Sequence, residues 1–199
     1  MSMSFDMNYH EHSITTIVEK EIRMGIFEKF LEIPAPPSYF MYAKFKPIQD
    51  SFPSFKKSLS SLGLANIHDL NIYVNKLVTY TKEAPGVDDW QTPQETFDKR
   101  TGDCEDFAIL KYAILLNSGY SEENLKLVIG HVIGDKEDHA FLIVLENEEW
   151  IVLDSKVMQL VPVKDYVNWN PIGSISGDKA TIYARQFILN DIFDPRQKV

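Results

Sequence analysis

The sequence holds a single cysteine among its 199 residues, Cys104, so no disulfide can form within the chain and that lone thiol needs another explanation. It also lacks any run of lysine or arginine, and 20 basic against 29 acidic side chains leave a net charge of −9. Without a basic stripe to meet phosphates, nucleic acid and anionic lipid are not expected partners. Long apolar runs are missing too: the longest, near residues 107–116, is broken by Lys111 and falls far short of the roughly 20 residues that span a bilayer. No direct membrane insertion is expected. Met1 to His12 carries no basic stretch followed by an apolar one, so no secretory signal is legible there and a complete chain would be cytoplasmic. There is no internal repeat and no low-complexity segment. What remains is an ordinary globular composition, 44% hydrophobic and 25% charged, in a length that suits one domain with an N-terminal extension. The extension is drawn as residues 1–60 and the main body as 61–199.

Ile14, Ile17, Val18, Ile22, Ile26, Phe27 and Phe30 recur at near-helical spacing, and Pro34, Pro36 and Pro37 end what they form, predicting an amphipathic helix over 13–31. Residues 38–53 are rich in aromatics and proline without a clear period and read as an irregular arm. A second helix is expected over 67–80, on the stripe Leu70, Val74, Leu77 and Val78. Thr92-Pro93-Gln94-Glu95 predicts a short helix with Thr92 as N-cap, Pro93 in the first helical position and Glu95 closing a capping box. Residues 104–117 are apolar over most of a helical circumference, as a buried central helix requires, and Gly119 stops it. The period then changes: 125–132, 139–145 and 150–153 read as successive antiparallel strands. Further strands over 156–182 and a last helix over Tyr183 to Ile192 complete the expectation, an α+β order of helices followed by a sheet.

Gly102-Asp103-Cys104-Glu105-Asp106 falls where the central helix begins, with Asp103 as N-cap and Asp106 completing an acidic capping box. In the first helical turn, unpaired backbone N–H groups and the helix dipole favour an anion, which predicts a depressed thiol pKa and a place for an oxyanion. Free cysteines usually serve as small core hydrophobes, yet three flanking carboxylates suit a cleft better than a core. A base is needed. If Glu146 to Glu149 form a hairpin loop, Leu145 pairs with Trp150, and His139 and Asp154 become diagonal neighbours on one sheet face, roughly 7–8 Å apart at Cα. A carboxylate on one ring nitrogen would fix the imidazole so that the other takes the thiol proton, giving a Cys104, His139, Asp154 triad. His131 is the competing base, without a comparable carboxylate partner. His139 could equally be a solvent-facing strand end, and Asp154 a turn residue.

Trp90-Gln91-Thr92-Pro93 with Glu95, Gly102-Asp103-Cys104-Glu105-Asp106-Phe107-Ala108, Lys111-Tyr112, His139-Ala140 and Val152-Leu153-Asp154 together resemble the bacterial transglutaminase-like cysteine proteinases of the LapG type, over roughly residues 66–160. The resemblance implies a papain-like, transglutaminase-like fold and a cysteine endopeptidase with a Cys-His-Asp triad. It implies cleavage of the N-terminal region of a large surface adhesin next to paired alanines, and so control of biofilm attachment. It further implies a periplasmic location, a possible inner-membrane cyclic di-GMP receptor as partner, and a Ca²⁺ site whose acids match Asp103 and Glu105, with Asp106 as a third candidate. The same acids would also serve as helix caps. A transglutaminase-like acyltransferase, an amidase, or an inactive binding module of this fold are the alternatives.

Overall fold

A computed structural model describes residues 27, 29–84, 86–135 and 137–185. The elements run β1 (Phe30–Pro34), α1 (Phe40–Gln49), α2 (Ile67–Leu77), β2 (Thr79–Tyr80), α3 (Pro93–Lys99), β3 (Thr101–Gly102), α4 (Cys104–Leu116), β4 (Leu125–Val132), β5 (Asp138–Glu146), β6 (Glu149–Leu153), β7 (Val161–Pro162), β8 (Trp169–Ser176) and β9 (Lys179–Arg185). Seven strands form an antiparallel sheet in the order β1-β9-β8-β4-β5-β6-β7, while β2 and β3 make a small parallel pair beside it.

The central helix α4 is buried on all sides from Glu105 to Leu115, because it lies on β5 and β4 and is flanked by α2 and α3. Strand alternation divides the rest of the core. Leu125, Leu127 and Ile129 of β4 and Ala140, Leu142 and Val144 of β5 pack toward the helices. Val128, Phe141, Ile143, Trp150 and Val152 point to the other face, joining Trp169, Tyr183 and Phe27. With both faces covered, β5 is apolar at nearly every position, which explains its unbroken run from Ala140 to Leu145.

The expected capping chemistry is present. Thr92 caps α3 with Pro93 in its first turn, and Glu95 closes the box by accepting from Thr92 N–H at 2.9 Å. Arg100 ends that helix in the left-handed region at φ 56°, and Gly119 follows α4 at φ 92°. The hairpin register is the one the spacing predicts: Leu145 faces Trp150 and Leu142 faces Leu153. Its loop is tighter than expected, since Glu146 also pairs with Glu149 and only Asn147 and Glu148 turn, both at positive φ.

Four expectations are corrected. Residues 38–53 are not an irregular arm: α1 occupies 40–49 and sends Met41, Phe45 and Ile48 into the core at helical spacing, with Pro47 in its last turn. Helix α2 stops at Leu77, and Thr79–Tyr80 turn to strand because they bond to the chain after α3. The predicted helix over 13–31 lies mostly outside the described residues, but its end, Phe30 and Leu31, belongs to β1, paired with β9. Tyr183 to Arg185 likewise end β9 instead of opening a helix, and 186–192 lie outside the described residues. In both cases pairing between distant segments outweighs local periodicity.

Candidate active site

Cys104 is the first residue of α4, and His139 enters from the start of β5. Both line an open cleft of about 410 Å³, within the usual range of binding sites, walled by the 80–90 loop on one side and the β4–β5 turn on the other. The wall is acidic: Glu83, Asp88, Asp103, Glu105, Glu137 and Asp138 line it, with Lys82 paired to Glu137 and Lys44 to Asp88.

His139 and Asp154 are both buried, and His139 Nε2 lies 2.7 Å from Asp154 Oδ1. The other ring nitrogen, Nδ1, is not the one that Asp154 holds, and His139 and Cys104 line the same cleft. Asp154 follows β6 and is held on every side: Oδ1 also accepts from Lys156 N–H at 3.0 Å and from Ser155 Oγ at 3.4 Å, and Oδ2 accepts from the Tyr166 hydroxyl at 2.5 Å. Burial works against the charge, but these donors, led by His139, outweigh it and hold the carboxyl down to about 2. His131 stands apart, half exposed on β4 with its Nδ1 3.3 Å from Asp138.

The thiol departs from expectation. Cys104 Sγ donates to Glu105 Oε2 at 3.2 Å and accepts from Ala140 N–H. Burial first, then the Glu105 charge, push the thiol well above its ordinary value, so the helix N-terminus does not depress it as predicted.

The three acids of the segment have different tasks. Asp106 accepts from Gln91 N–H and Gln91 Nε2, each at 2.8 Å, and from Asp103 N–H at 3.2 Å, so its oxygens are spent on organising the start of the helix. The close approach depends on Gly102, where a Cβ would lie 2.6 Å from Asp106 Oδ2. Asp103 and Glu105 face the cleft and share a hydrogen bond. Burial, the Glu105 charge and the Glu83 charge push Asp103 up to about 8, and burial also raises Glu105. Asp103 Oδ1 is buried and has no hydrogen-bond partner among the described residues. Two crowded carboxylates with an orphaned oxygen fit a hard cation that accepts carbonyl oxygens as further ligands. Among the described residues, no three His, Cys, Asp or Glu side chains cluster to hold a metal by themselves.

Sequence reasoning gave no role to Gln91, Tyr166, Asn71 or Asn75. Gln91 stood directly before the Thr92 capping box and could have been suspected. Tyr166 could not, since nothing in the spacing links it to Asp154.

The family model of the bacterial transglutaminase-like cysteine proteinases, BTLCP, matches residues 43–169. Among solved structures, Legionella pneumophila LapG is similar at 23% identity and TM-score 0.53, covering 71% of this chain and 78% of that one. The calcium-bound form of Legionella pneumophila LapG is similar at 21% identity and TM-score 0.55, over 69% of this chain and 86% of that one. Its EGTA-treated form is similar at 23% and 0.53, over 71% and 76%. These likenesses establish the fold. No curated protein matches the chain.

Proposed function

The chain belongs to the bacterial transglutaminase-like cysteine proteinases and is a cysteine protease, and from that premise we propose that Cys104 is its nucleophile, His139 the base and Asp154 the group that orients the histidine. The observation that carries this reading is the buried 2.7 Å bond from His139 to Asp154, at the wall of the cleft that holds Cys104. Asp154 on Nε2 leaves Nδ1 to take the thiol proton. The thiolate attacks the carbonyl carbon of the scissile peptide, and N–H groups of the first turn of α4 hold the oxyanion. His139 returns the proton to the departing amine as the C–N bond breaks, leaving a thioester on Cys104. Water then adds to the thioester while His139 takes its proton. The acid is released and the thiol restored.

Asp103 and Glu105 are the residues that would hold Ca²⁺, with Asp106 bracing the helix start beside them. A bound calcium ion would supply positive charge to offset the two acids next to a thiol that must become an anion. The LapG-type resemblance supports a large surface adhesin as substrate, cut in its N-terminal region next to paired alanines. It also supports a periplasmic setting and a cyclic di-GMP receptor in the inner membrane as partner. No helix among the described residues is long and apolar enough to cross a membrane.

Incubation with adhesin N-terminal fragments, followed by mass spectrometry, tests the reading. Cleavage at paired alanines is expected, lost in Cys104→Ala and reduced by chelator. Cleavage that survives in Cys104→Ala would end the thiol mechanism.

A further inference from the structure

Lys111 is a fully buried lysine that the reaction described above does not use. It lies seven residues beyond Cys104 on α4, so it shares the cysteine's helix face about two turns deeper. Packing alone does not call for it, because Ile109, Leu110, Ala113 and Ile114 around it are all apolar and buried, and an uncharged residue would avoid the cost of desolvating an ammonium. Its Nζ donates to Asn71 Oδ1 at 2.7 Å, and Asn71 is itself fully buried on α2. From there the contacts lead to the site. Asn71 Nδ2 donates to Val157 O at 2.8 Å and Met158 O at 3.1 Å, while Asn75, one turn on, donates to Asp154 O at 2.7 Å and Val157 O at 3.2 Å.

A side-chain amide can be turned either way, and the hydrogen-bonding partners decide which way it settles. A lysine ammonium is donor-only, so in that form Lys111 against Asn71 commits the amide oxygen to α4 and aims both amide hydrogens at the two carbonyls of the 154–158 turn. We propose that Lys111, acting through Asn71, is a positioning residue for Asp154: it locks the turn whose first residue orients His139. This inference rests on the triad reading. Asp154 is held ionised chiefly by its direct donors, whereas the Asp154 charge in turn favours the buried ammonium, whose pKa burial lowers to about 7. Lys111 therefore acts on the position of the carboxylate more than on its charge.

The test uses Lys111→Met, Asn71→Leu and the double variant, assayed on a quenched fluorogenic peptide with two adjacent alanines, alongside Cys104→Ala. Each single change is expected to lower kcat about tenfold or more with KM within about twofold, as small displacements of reacting groups do. Because the two act in series, the double variant should be no worse than the poorer single one. In ¹⁵N-histidine spectra the Nε2–H signal of His139 should shift or broaden in both single variants. A folded Lys111→Met with wild-type kcat, or losses that multiply in the double variant, would overturn the inference. If Lys111→Met does not fold, Asn71→Asp carries the test: it keeps an acceptor for Lys111 but removes the donors to the turn, and an unchanged kcat would be equally fatal. Persistent activity in Cys104→Ala would strike the triad itself, and the positioning role with it.

Discussion

Asp154 is a strand-end aspartate that any turn could use, yet four donors converge on its two oxygens. Its folded pKa of about 2 lies below the ordinary 3.8, so the stability it contributes is present above pH 3.8 and drains away as the pH falls toward 2. Asp154→Asn removes that linkage. Urea midpoints measured between pH 6 and pH 2 should fall more steeply for the wild type than for the variant across this window; equal slopes would mean the carboxylate is not held down. In activity, His139→Ala should approach the loss seen without the nucleophile, while Asp154→Asn keeps more, because members of a triad contribute unequally. Cysteine chemistry at this scale was only half legible. The position of Cys104 at a helix start follows from Asp103 and the apolar run after it. The direction of its pKa does not, because it depends on burial and on where the Glu105 side chain points.

Among the elements, α1 is the instructive miss. Proline at 47 and four aromatics between 39 and 45 hide the spacing of Met41, Phe45 and Ile48, but a proline in the last turn of a helix gives up only one backbone bond. Phe45 is fully buried, with ring centroids 5.8 Å from Phe52 and 5.5 Å from Tyr112 of α4. Phe45→Ala should therefore cost about 3–5 kcal/mol in urea unfolding, the usual penalty for deleting a buried phenylalanine. A loss under about 1 kcal/mol, the scale of an ordinary surface change, would return this segment to the status of a loose arm. The hairpin went the other way. Turn spacing alone predicted its register, because a short loop between two apolar runs leaves few ways to pair them; alternation could not have done so, since β5 is apolar on both faces.

At the scale of the whole molecule, a net charge of −9 meets a cleft walled by carboxylates. Asp103 holds its proton up to about pH 8, against an ordinary 3.8. Its contribution to stability is therefore complete below pH 3.8 and is lost as the pH rises through 8. A cation that replaces the proton should stabilise the protein more at pH 8 than at pH 5, where the proton still occupies the site. The melting temperature should rise on adding calcium to chelator-treated protein, by more at pH 8, and Asp103→Ala should erase the difference. Identical melting with calcium and with chelator at both pH values would leave Asp103 and Glu105 without a metal to hold.

The sequence by itself determined the starts of α2, α3 and α4, the central buried helix, the hairpin register and the nomination of Cys104, His139 and Asp154. All of these follow from spacing, capping chemistry and strand alternation, which act over a few residues. Only the tertiary structure decided that β1 pairs with β9, that Tyr166 and Gln91 brace two of the acids, and that buried Lys111 bonds Asn71, which in turn bonds the carbonyls of Val157 and Met158 just beyond Asp154. Such partnerships join residues from 12 to more than 150 positions apart, and they form only once hydrophobic burial has brought the elements together. No local pattern in the chain encodes them.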